Sequence, residues 1–411
     1  MKLKLTIALS FFLSIAFGQI YVKGKVTSKS NQPLEGAAVF FNSTTIATIT
    51  DANGEYKLSV PEGKYKLVAS YLGYKTVERE VEIDKNTPLD DLNFTLEEAD
   101  NVLNEVVIGG KKKIKSKKPK YEDFLVFREA FLGRTDFAEK CKIDNKKALK
   151  YYFDEATNTF SVEAKEPIII LNRDLGYKIS YNLEKFQIKD RIISYFGYSK
   201  YEKLEGNNRK QKKWKKNRLK AYNGSLRHFL KTFITASTKE EGFKIDIMNR
   251  KRNELHPTDG ELNFSRRIFN IQDQKGIAIN FNKIILKPQS KLDSAIVIHQ
   301  KELKYPKIID VPHKRNVTYN DVSYRVEGKV FLKFDGFLKV TYQNEKEEFN
   351  YKKDVKKRLG VQVSHFLLFK NNEEILPIGQ IADQNNRLVE GYWSYELFAN
   401  ALPLDYKPPT E

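Results

Sequence analysis

Cysteine is almost absent from this chain, which has only Cys141 among its 411 residues. No intramolecular disulfide can form, so the fold has to be stabilised by its apolar core alone. Free cysteine is among the most often buried residue types. We therefore expect Cys141 to be a small buried side chain at the end of a short helix spanning Phe137–Cys141. A nucleophilic role would need a histidine partner.

Histidine is also scarce, and the familiar catalytic motifs are missing. The five histidines are His228, His256, His299, His313 and His365, and none belongs to a His-Glu-x-x-His pair of zinc ligands. There is no Gly-x-Ser-x-Gly elbow and no phosphate-cradling glycine loop. We therefore name no catalytic residue, cofactor-binding residue or metal ligand. The 53 acidic residues leave a glycosidase pair open, because such a pair is defined by its separation in space.

The apolar run at the N-terminus, Leu5–Phe17, is shorter than the ~20 residues that a membrane-spanning helix needs. Two lysines precede it, and Ala16-Phe17-Gly18 places small residues before Gln19. This pattern predicts a signal peptide over residues 1–18 and export to the periplasm or the outer membrane. No cysteine follows the run, so an N-terminal lipid anchor is not supported.

Residues 19–98 show the period-two alternation of strands that have one buried face. Ile20, Val22, Gly24 and Val26 share one face of the first strand. Tight-turn residues such as Asp51-Ala52-Asn53-Gly54 separate the runs, and we interpret Asp51 and Asn53 as turn formers rather than calcium ligands. The pattern predicts a seven-stranded antiparallel β-sandwich.

The same residues carry a family resemblance. Gly24-Lys25-Val26, Pro33–Ala37, Thr50–Tyr56 and Gly73-Tyr74 resemble the carboxypeptidase-regulatory-like domain. The resemblance implies a transthyretin-like (prealbumin-like) fold that acts as a structural or interaction module and carries no catalytic residues. Such domains commonly precede outer-membrane TonB-dependent receptors.

The segment Leu103–Gly109 is similar to the region near the TonB-contacting box of those receptors, but we favour a final edge strand or an extended linker. The remaining residues, about 300, are too few for the plug and large barrel of a receptor.

The family name raises the possibility of a zinc carboxypeptidase. His299-Gln300-Lys301-Glu302 has the letters of the first ligand pair of those enzymes. However, His313 and His365 lie much closer to it than the family's third ligand does. The regulatory domain of those enzymes also follows the catalytic domain, whereas here it comes first. We therefore disfavour zinc carboxypeptidase activity.

Residues 99–120 contain a block of like charge, because seven of the ten residues Lys111–Lys120 are lysine. Such blocks are usually solvated linkers, so we place a domain boundary here and a β-rich domain of unknown function, with a few helices, over residues 121–411. A tether to an anionic surface is the alternative. Tyr222–Leu230 together with Leu402–Tyr406 is similar to uncharacterised exported proteins.

Local patterns predict several elements in this region. Phe124, Phe127 and Phe131 predict a helix over Tyr121–Leu132 ending at Gly133, and Ser225 predicts the cap of a second helix. Apolar and β-branched runs predict strands at Thr159–Ala164, Tyr177–Phe186, Ile277–Leu286, Ser294–His299 and Lys329–Tyr342.

The chain has a net charge of +19, and a second cluster of basic residues lies at Arg209–Lys220, which carries eight of them around Trp214. Such a segment could bind a nucleic-acid strand or an anionic membrane surface. We favour a solvated hairpin loop and expect no nucleic-acid partner for an exported protein.

These observations predict a mainly β, non-catalytic cell-envelope protein that binds an envelope protein or an anionic glycan or lipid surface, with peripheral membrane association. Two alternatives stay open. One is an enzyme acting on envelope glycans through carboxylates that the sequence does not locate. The other is a small outer-membrane β-barrel, disfavoured by charges such as Lys333, Asp335 and Lys339 along one predicted strand.

Overall fold

A computed structural model describes residues 20–84, 91–99, 121–352 and 358–409, without the side chain of Lys352. The predicted signal peptide, the segment Leu103–Gly109 and the lysine block therefore lie outside the described residues. The chain divides into two compact units. Unit 1 comprises residues 1–223 and 396–411, and unit 2 comprises residues 224–395. The sequence-based boundary at 99–120 stays a prediction.

The N-terminal part of unit 1 consists of seven short strands in two small sheets, with the sheet orders β4-β1-β7 and β3-β2-β5-β6. The strands are β1 Ile20–Ser28, β2 Ala38–Phe41, β3 Ala47–Ile49, β4 Glu55–Val60, β5 Gly63–Ser70, β6 Val77–Ile83 and β7 Phe94–Leu96. Alternate side chains form the core between the sheets, as the burial of Tyr56, Leu58 and Val60 shows. One expectation is wrong: β1 pairs with β7 in parallel, so the sandwich is not wholly antiparallel.

The turn before β4 follows the predicted chemistry. The Asp51 carboxylate accepts hydrogen bonds from the backbone amides of Asn53 and Glu55, both at 2.9 Å. Gly54 has φ +75°, and a Cβ there would lie 2.5 Å from the Val26 carbonyl oxygen. Asp51 and Asn53 therefore shape a tight turn.

The rest of unit 1 is a six-stranded sheet with the path β8-β11-β12-β10-β9, on which β13 pairs with β12. Three helices accompany it. The elements are α1 Tyr121–Leu132, α2 Asp136–Lys140, β8 Cys141–Ile143, β9 Leu149–Asp154, β10 Thr159–Ala164, β11 Ile168–Asn172, β12 Tyr177–Lys189, β13 Ile192–Lys203 and α3 Asn208–Tyr222.

The phenylalanine spacing correctly predicted α1, whose buried face includes Phe124, Phe127 and Phe131. Gly133 follows the helix with φ +93°, the left-handed conformation that is typical of a glycine that ends a helix. Cys141 is buried as expected, but its predicted place in a helix is wrong. Its backbone is extended and it pairs with Asn172 of β11, so it begins β8.

Unit 2 contains a five-stranded sheet, β15-β14-β18-β19-β22, and a four-stranded sheet, β16-β17-β20-β21. Its helices are α4 Leu226–Thr235, α5 Asp259–Gln274, α6 Lys291–Lys304, α7 Tyr319–Val322, α8 Phe349–Lys352 and α9 Tyr392–Tyr395. Its strands are β14 Phe243–Arg252, β15 Ile308–Val317, β16 Ser323–Val326, β17 Lys329–Leu332, β18 Phe337–Lys346, β19 Val361–Leu368, β20 Glu373–Leu376, β21 Gln380–Ile381 and β22 Arg387–Gly391.

Two predicted strands of unit 2 are wrong. Ser294–His299 lies inside α6, because Ser290 caps that helix by accepting a hydrogen bond from the Asp293 amide at 3.0 Å. Ile277–Leu286 belongs to the connection between α5 and α6, and no strand pairs with it. Lys329–Tyr342 is two strands of different sheets, separated by a turn at Gly336, which has φ +75°.

The predicted helix after Ser225 is confirmed, and the Ser225 hydroxyl accepts a hydrogen bond from the His228 amide at 3.1 Å. With nine α-helices in the described part of the chain, the protein is mixed α/β and β-rich rather than mainly β with a few helices. Within the described ranges, no helix has both the length and the apolar content needed to cross a bilayer.

Candidate anion-binding surface on helix α3

Helix α3 carries eight lysine and arginine residues and no acidic residue among its fifteen positions. The predicted solvated hairpin loop is therefore wrong, and the basic segment is helical. Asn207 caps the helix through a hydrogen bond from the Lys210 amide to its side-chain oxygen at 3.1 Å. Cations near a helix N-terminus oppose the helix dipole, so contacts with the sheet have to hold this helix in place.

Trp214 is the main anchor of α3 on unit 1. Its indole Nε1 donates a hydrogen bond to the carbonyl oxygen of Arg173 at 2.7 Å, and its ring is buried over two glycines. A Cβ at Gly176 or Gly206 would lie 2.4 Å or 2.6 Å from that ring. Because the ring is enclosed in this way, Trp214 is unavailable to stack on a nucleic-acid base.

A second row of contacts fixes the C-terminal half of the helix on the turn before β12. Asn217 donates to the carbonyl oxygen of Asp174, and the Arg218 Nε donates to that of Leu175, both at 2.8 Å. The Arg218 guanidinium also lies 4.3 Å from the centre of the Tyr177 ring. These donors satisfy carbonyl groups of the turn that no strand reaches.

Asp174 is a buried carboxylate that ties two lysines together. Its oxygens lie 2.6 Å from the ammonium group of Lys213 and 2.9 Å from that of Lys140 on α2. Burial acts to raise the pKa of Asp174, but the hydrogen bonds and charges of the two lysines hold it below its usual value. Nothing in the local sequence marks Asp174 for this role, because its two lysine partners lie 34 and 39 positions away in the chain.

The other cations of the helix form an exposed surface, which we call the α3 cationic face. Its members are Arg209, Lys210, Lys212, Lys215 and Lys216. Within the described ranges, no carboxylate forms an ion pair with any of them. Side chains three and four positions apart are neighbours on a helix, about 5–6 Å apart at Cβ. Arg209, Lys212, Lys215 and Lys216 therefore form a short row of charges on a docked helix, and Lys210 lies outside that row in the first turn.

The histidine and cysteine positions bear on the zinc-site hypothesis. His299 and Glu302 lie one turn apart on α6, with Nδ1 and Oε2 separated by 3.6 Å. Across the described residues, no three His, Cys, Asp or Glu side chains meet in a way that could hold a metal ion. Burial raises the pKa of the Cys141 thiol to about 12, which disfavours the nucleophilic thiolate.

Unit 1 also has an open cleft of about 640 Å³ between β3 and β13, and Glu202 is the acid among its lining residues. Burial acts to raise the pKa of Glu202, but Lys200 and Lys178 hold it below its usual value, so Glu202 is not suited to be a general acid. Partial desolvation and the charge of Glu78 raise the pKa of Glu184, which is not part of this lining. The cleft thus lacks the pair of acids that a glycosidase uses.

Comparisons with known proteins support the family resemblance of the N-terminal domain. Residues 22–108 match the model of the CarboxypepD_reg-like domain, so the chain carries such a domain at its N-terminus. The TonB-dependent receptor SusC of Bacteroides thetaiotaomicron is 36% identical over 116 residues, which are 28% of this chain and 11% of the receptor. The TonB-dependent receptor P39 of Formosa agariphila is 33% identical over 101 residues, which are 25% of this chain and 9% of the receptor.

The domain therefore resembles the N-terminal region of TonB-dependent receptors, and the match spans about a tenth of the length of either receptor. Among solved structures, a type II cohesin–X-dockerin complex from Acetivibrio cellulolyticus is 22% identical. That likeness covers 28% of this chain and 75% of the other with a TM-score of 0.16, too low to support an argument about fold. Helix α3 lies outside the matched domain.

Proposed function

We propose that this chain is a non-catalytic cell-envelope protein that binds an anionic envelope glycan or glycolipid through the α3 cationic face. The observation that carries the proposal is the group of five exposed cations on α3, which have no carboxylate partner within the described ranges, on a helix fixed by Trp214, Asn217 and Arg218. Because the helix is already docked, its backbone loses little conformational freedom when these side chains bind phosphate, sulfate or carboxylate groups.

The envelope location is supported by the likeness of the N-terminal domain to the corresponding region of outer-membrane receptors. In this proposal the sandwich is an interaction or spacing module. It lies against β13 of the same unit, where the backbone amide of Ser43 donates to the Ser199 carbonyl oxygen at 2.7 Å. The peripheral binding that we propose needs no membrane-spanning segment.

The test replaces the five residues of the α3 cationic face with glutamine, which preserves helix propensity. We expect at least a tenfold loss of affinity for dextran sulfate, or for vesicles that contain phosphatidylglycerol. A lysine or arginine near an anionic surface contributes ~1 kcal/mol. A loss of dextran sulfate binding in this variant would identify a glycan-type ligand of α3, and a loss of vesicle binding alone would identify a lipid headgroup.

A matched control removes five exposed lysines of unit 1 that lie outside α3, again by glutamine substitution. They are Lys147, Lys165, Lys185, Lys189 and Lys407. We expect the affinity of the control variant to stay within about twofold of that of the parent chain at the same salt concentration, because salt screens exposed charges that lie far from the binding surface. Equal losses in the two variants would mean that only net charge matters, and the proposal would be wrong.

A further inference from the structure

A second surface that the proposed function does not use lies in unit 2, where a helical hairpin is inserted between β14 and β15. Helices α5 and α6 are joined by residues 275–290, which we call the hairpin loop. The hairpin loop contains three lysines and no acidic residue. Four of its large apolar side chains are exposed, reaching 87% for Ile284 and 97% for Leu286, whereas Ile279 and Ile285 are half-buried. Such exposure of two large apolar side chains two positions apart is unusual for a surface that faces only water.

The hairpin loop is anchored to the helices at its base. The side-chain amide of Gln300 donates to the carbonyl oxygens of Phe281 and Lys283 at 2.8 and 2.9 Å. The Phe281 ring lies 5.1 Å from that of Phe269 and 4.9 Å from that of His299. These contacts hold the segment just before Ile284 and Leu286, so the two exposed side chains sit on a supported loop.

The charges around these side chains indicate what covers them. Lys283 forms an ion pair with Asp293 at 2.8 Å, whereas Lys275, Lys287 and Lys291 have no carboxylate partner in the described ranges. Aliphatic side chains beside Lys287, in a loop that contains lysines and no acidic residue, match the boundary of an anionic bilayer. There, apolar groups enter the acyl region and ammonium groups remain among the headgroups. A soluble polyanion would match the lysines but leave Ile284 and Leu286 in water.

We propose that the tip of the hairpin loop, Ile284–Leu286, inserts into the interface of an anionic lipid bilayer. This inference goes beyond the proposed function, because it uses a different element and requires burial of apolar side chains. The salt dependence of binding also distinguishes the α3 interaction from insertion of the hairpin tip. Attraction between exposed charges is screened within ~8 Å at physiological ionic strength, whereas burial of apolar surface is not weakened by salt.

The first experiment places a probe at the tip of the full-length chain. Because Cys141 is buried, a Leu286→Cys variant can be labelled selectively with an environment-sensitive fluorophore. We expect a blue shift with vesicles of phosphatidylcholine plus phosphatidylglycerol and a much smaller shift with phosphatidylcholine alone. The control is Leu72→Cys, at a residue with a similar exposure of 75%, and we expect no shift there. No shift at Leu286, or equal shifts with both kinds of vesicle, would overturn the proposal.

The second experiment measures co-sedimentation of an Ile284→Ser/Leu286→Ser variant with the anionic vesicles at high salt. We expect at least a tenfold loss of the salt-resistant binding, and no loss for Leu72→Ser. Both variants should retain their affinity for dextran sulfate, so failure of the tip proposal is distinguishable from failure of the α3 proposal. A label shift without vesicles, together with a dimer mass in light scattering, would assign the tip to a second copy of the chain and overturn membrane insertion.

Discussion

His228 is a buried histidine with a polar contact at each ring nitrogen. The Gly224 amide donates a hydrogen bond to Nδ1 at 3.1 Å, and Nε2 lies 3.2 Å from a carboxylate oxygen of Glu241. The ring is buried against Phe243 and Tyr342. Burial lowers the pKa of His228 below its ordinary value, although Glu241 acts to raise it. A proton on Nδ1 would also point at the donating Gly224 amide.

The lowered pKa predicts that unit 2 loses stability in acid. As the pH falls below 6.5 towards the lowered folded pKa, the unfolded chain binds the proton more readily, so the free energy of unfolding decreases. Denaturant titrations between neutral pH and pH 5 measure this slope. We expect His228→Gln to flatten the slope, while His313→Gln, at an exposed histidine of β15, should leave it unchanged. A slope that His228→Gln does not alter would contradict this origin.

Gly176 is a single residue on which the docking of α3 depends. It has φ +73°, and a Cβ would overlap the Trp214 ring at 2.4 Å. We expect Gly176→Ala to reduce the free energy of unfolding of unit 1 by ~2–4 kcal/mol, since backbone strain of ~1–2 kcal/mol adds to overpacking. Gly73→Ala is the control, because Gly73 has φ +85° with nothing within 4 Å of its Cβ position. Urea unfolding compares the two, and equal losses would show that the Trp214 contact contributes nothing.

At the scale of elements, α3 combines a favourable cap with an unfavourable charge distribution. Arg209 and Lys210 lie in its first turn, where the helix dipole favours anions. The Asn207 side chain accepts a backbone hydrogen bond in that turn. The cap and the contacts of Trp214 therefore offset the local repulsion of positive charge from the helix terminus.

This balance predicts a clear order among substitutions at the cap. Asn207→Ala should cost ~1 kcal/mol of stability, because it leaves a backbone donor of the first turn unsatisfied. Asn207→Asp should preserve stability, since a carboxylate can cap the helix and interact favourably with the dipole. Urea denaturation of the full chain measures both variants. If Asn207→Ala is neutral while Asn207→Asp destabilises, the capping role is refuted.

At the scale of the whole molecule, unit 1 is built from two distant parts of the sequence. The chain leaves unit 1 at residue 223 and returns to it at residue 396. Phe398 then stacks on Phe131 of α1 with ring centres 4.8 Å apart, and Asn400 accepts a hydrogen bond from the Thr135 hydroxyl at 2.6 Å. Asp405 accepts a hydrogen bond from the backbone amide of Thr45 in the sandwich at 2.9 Å. The C-terminal segment is thus part of the core of unit 1.

The stability of unit 1 should therefore depend on residues far along the chain. We expect Phe398→Ala to cost ~3–5 kcal/mol, the usual range for a buried aromatic residue. Phe369→Ala, at a side chain that is 66% exposed, should cost little. Thermal unfolding followed by near-UV circular dichroism measures both. Similar melting temperatures for the two variants would mean that the returning segment does not stabilise unit 1.

Some of this architecture is determined by signals that act over a few residues. Helices α1 and α4 were predictable because Phe124, Phe127 and Phe131 follow a helical period and Ser225 supplies a cap within its own turn. The first domain was recognisable because its strand alternation and its turn residues are local as well. The basic segment around Trp214 was visible in the sequence, but its structure was not.

The remaining features depend on partners that are distant in the sequence. The run from Ser294 to His299 has strand-like composition, yet the cap at Ser290 and packing on α5 make it helical, where the Ser265 hydroxyl donates to the Ala295 carbonyl oxygen at 3.0 Å. The hairpin loop is apolar like a strand, but Gln300 rather than a neighbouring strand binds its carbonyl groups. The sequence by itself therefore determined the periodic, locally capped elements and the clusters of charge. Only the tertiary structure decided which apolar runs are buried and which charges stay unpaired, because burial and ion pairing depend on residues that only folding brings together.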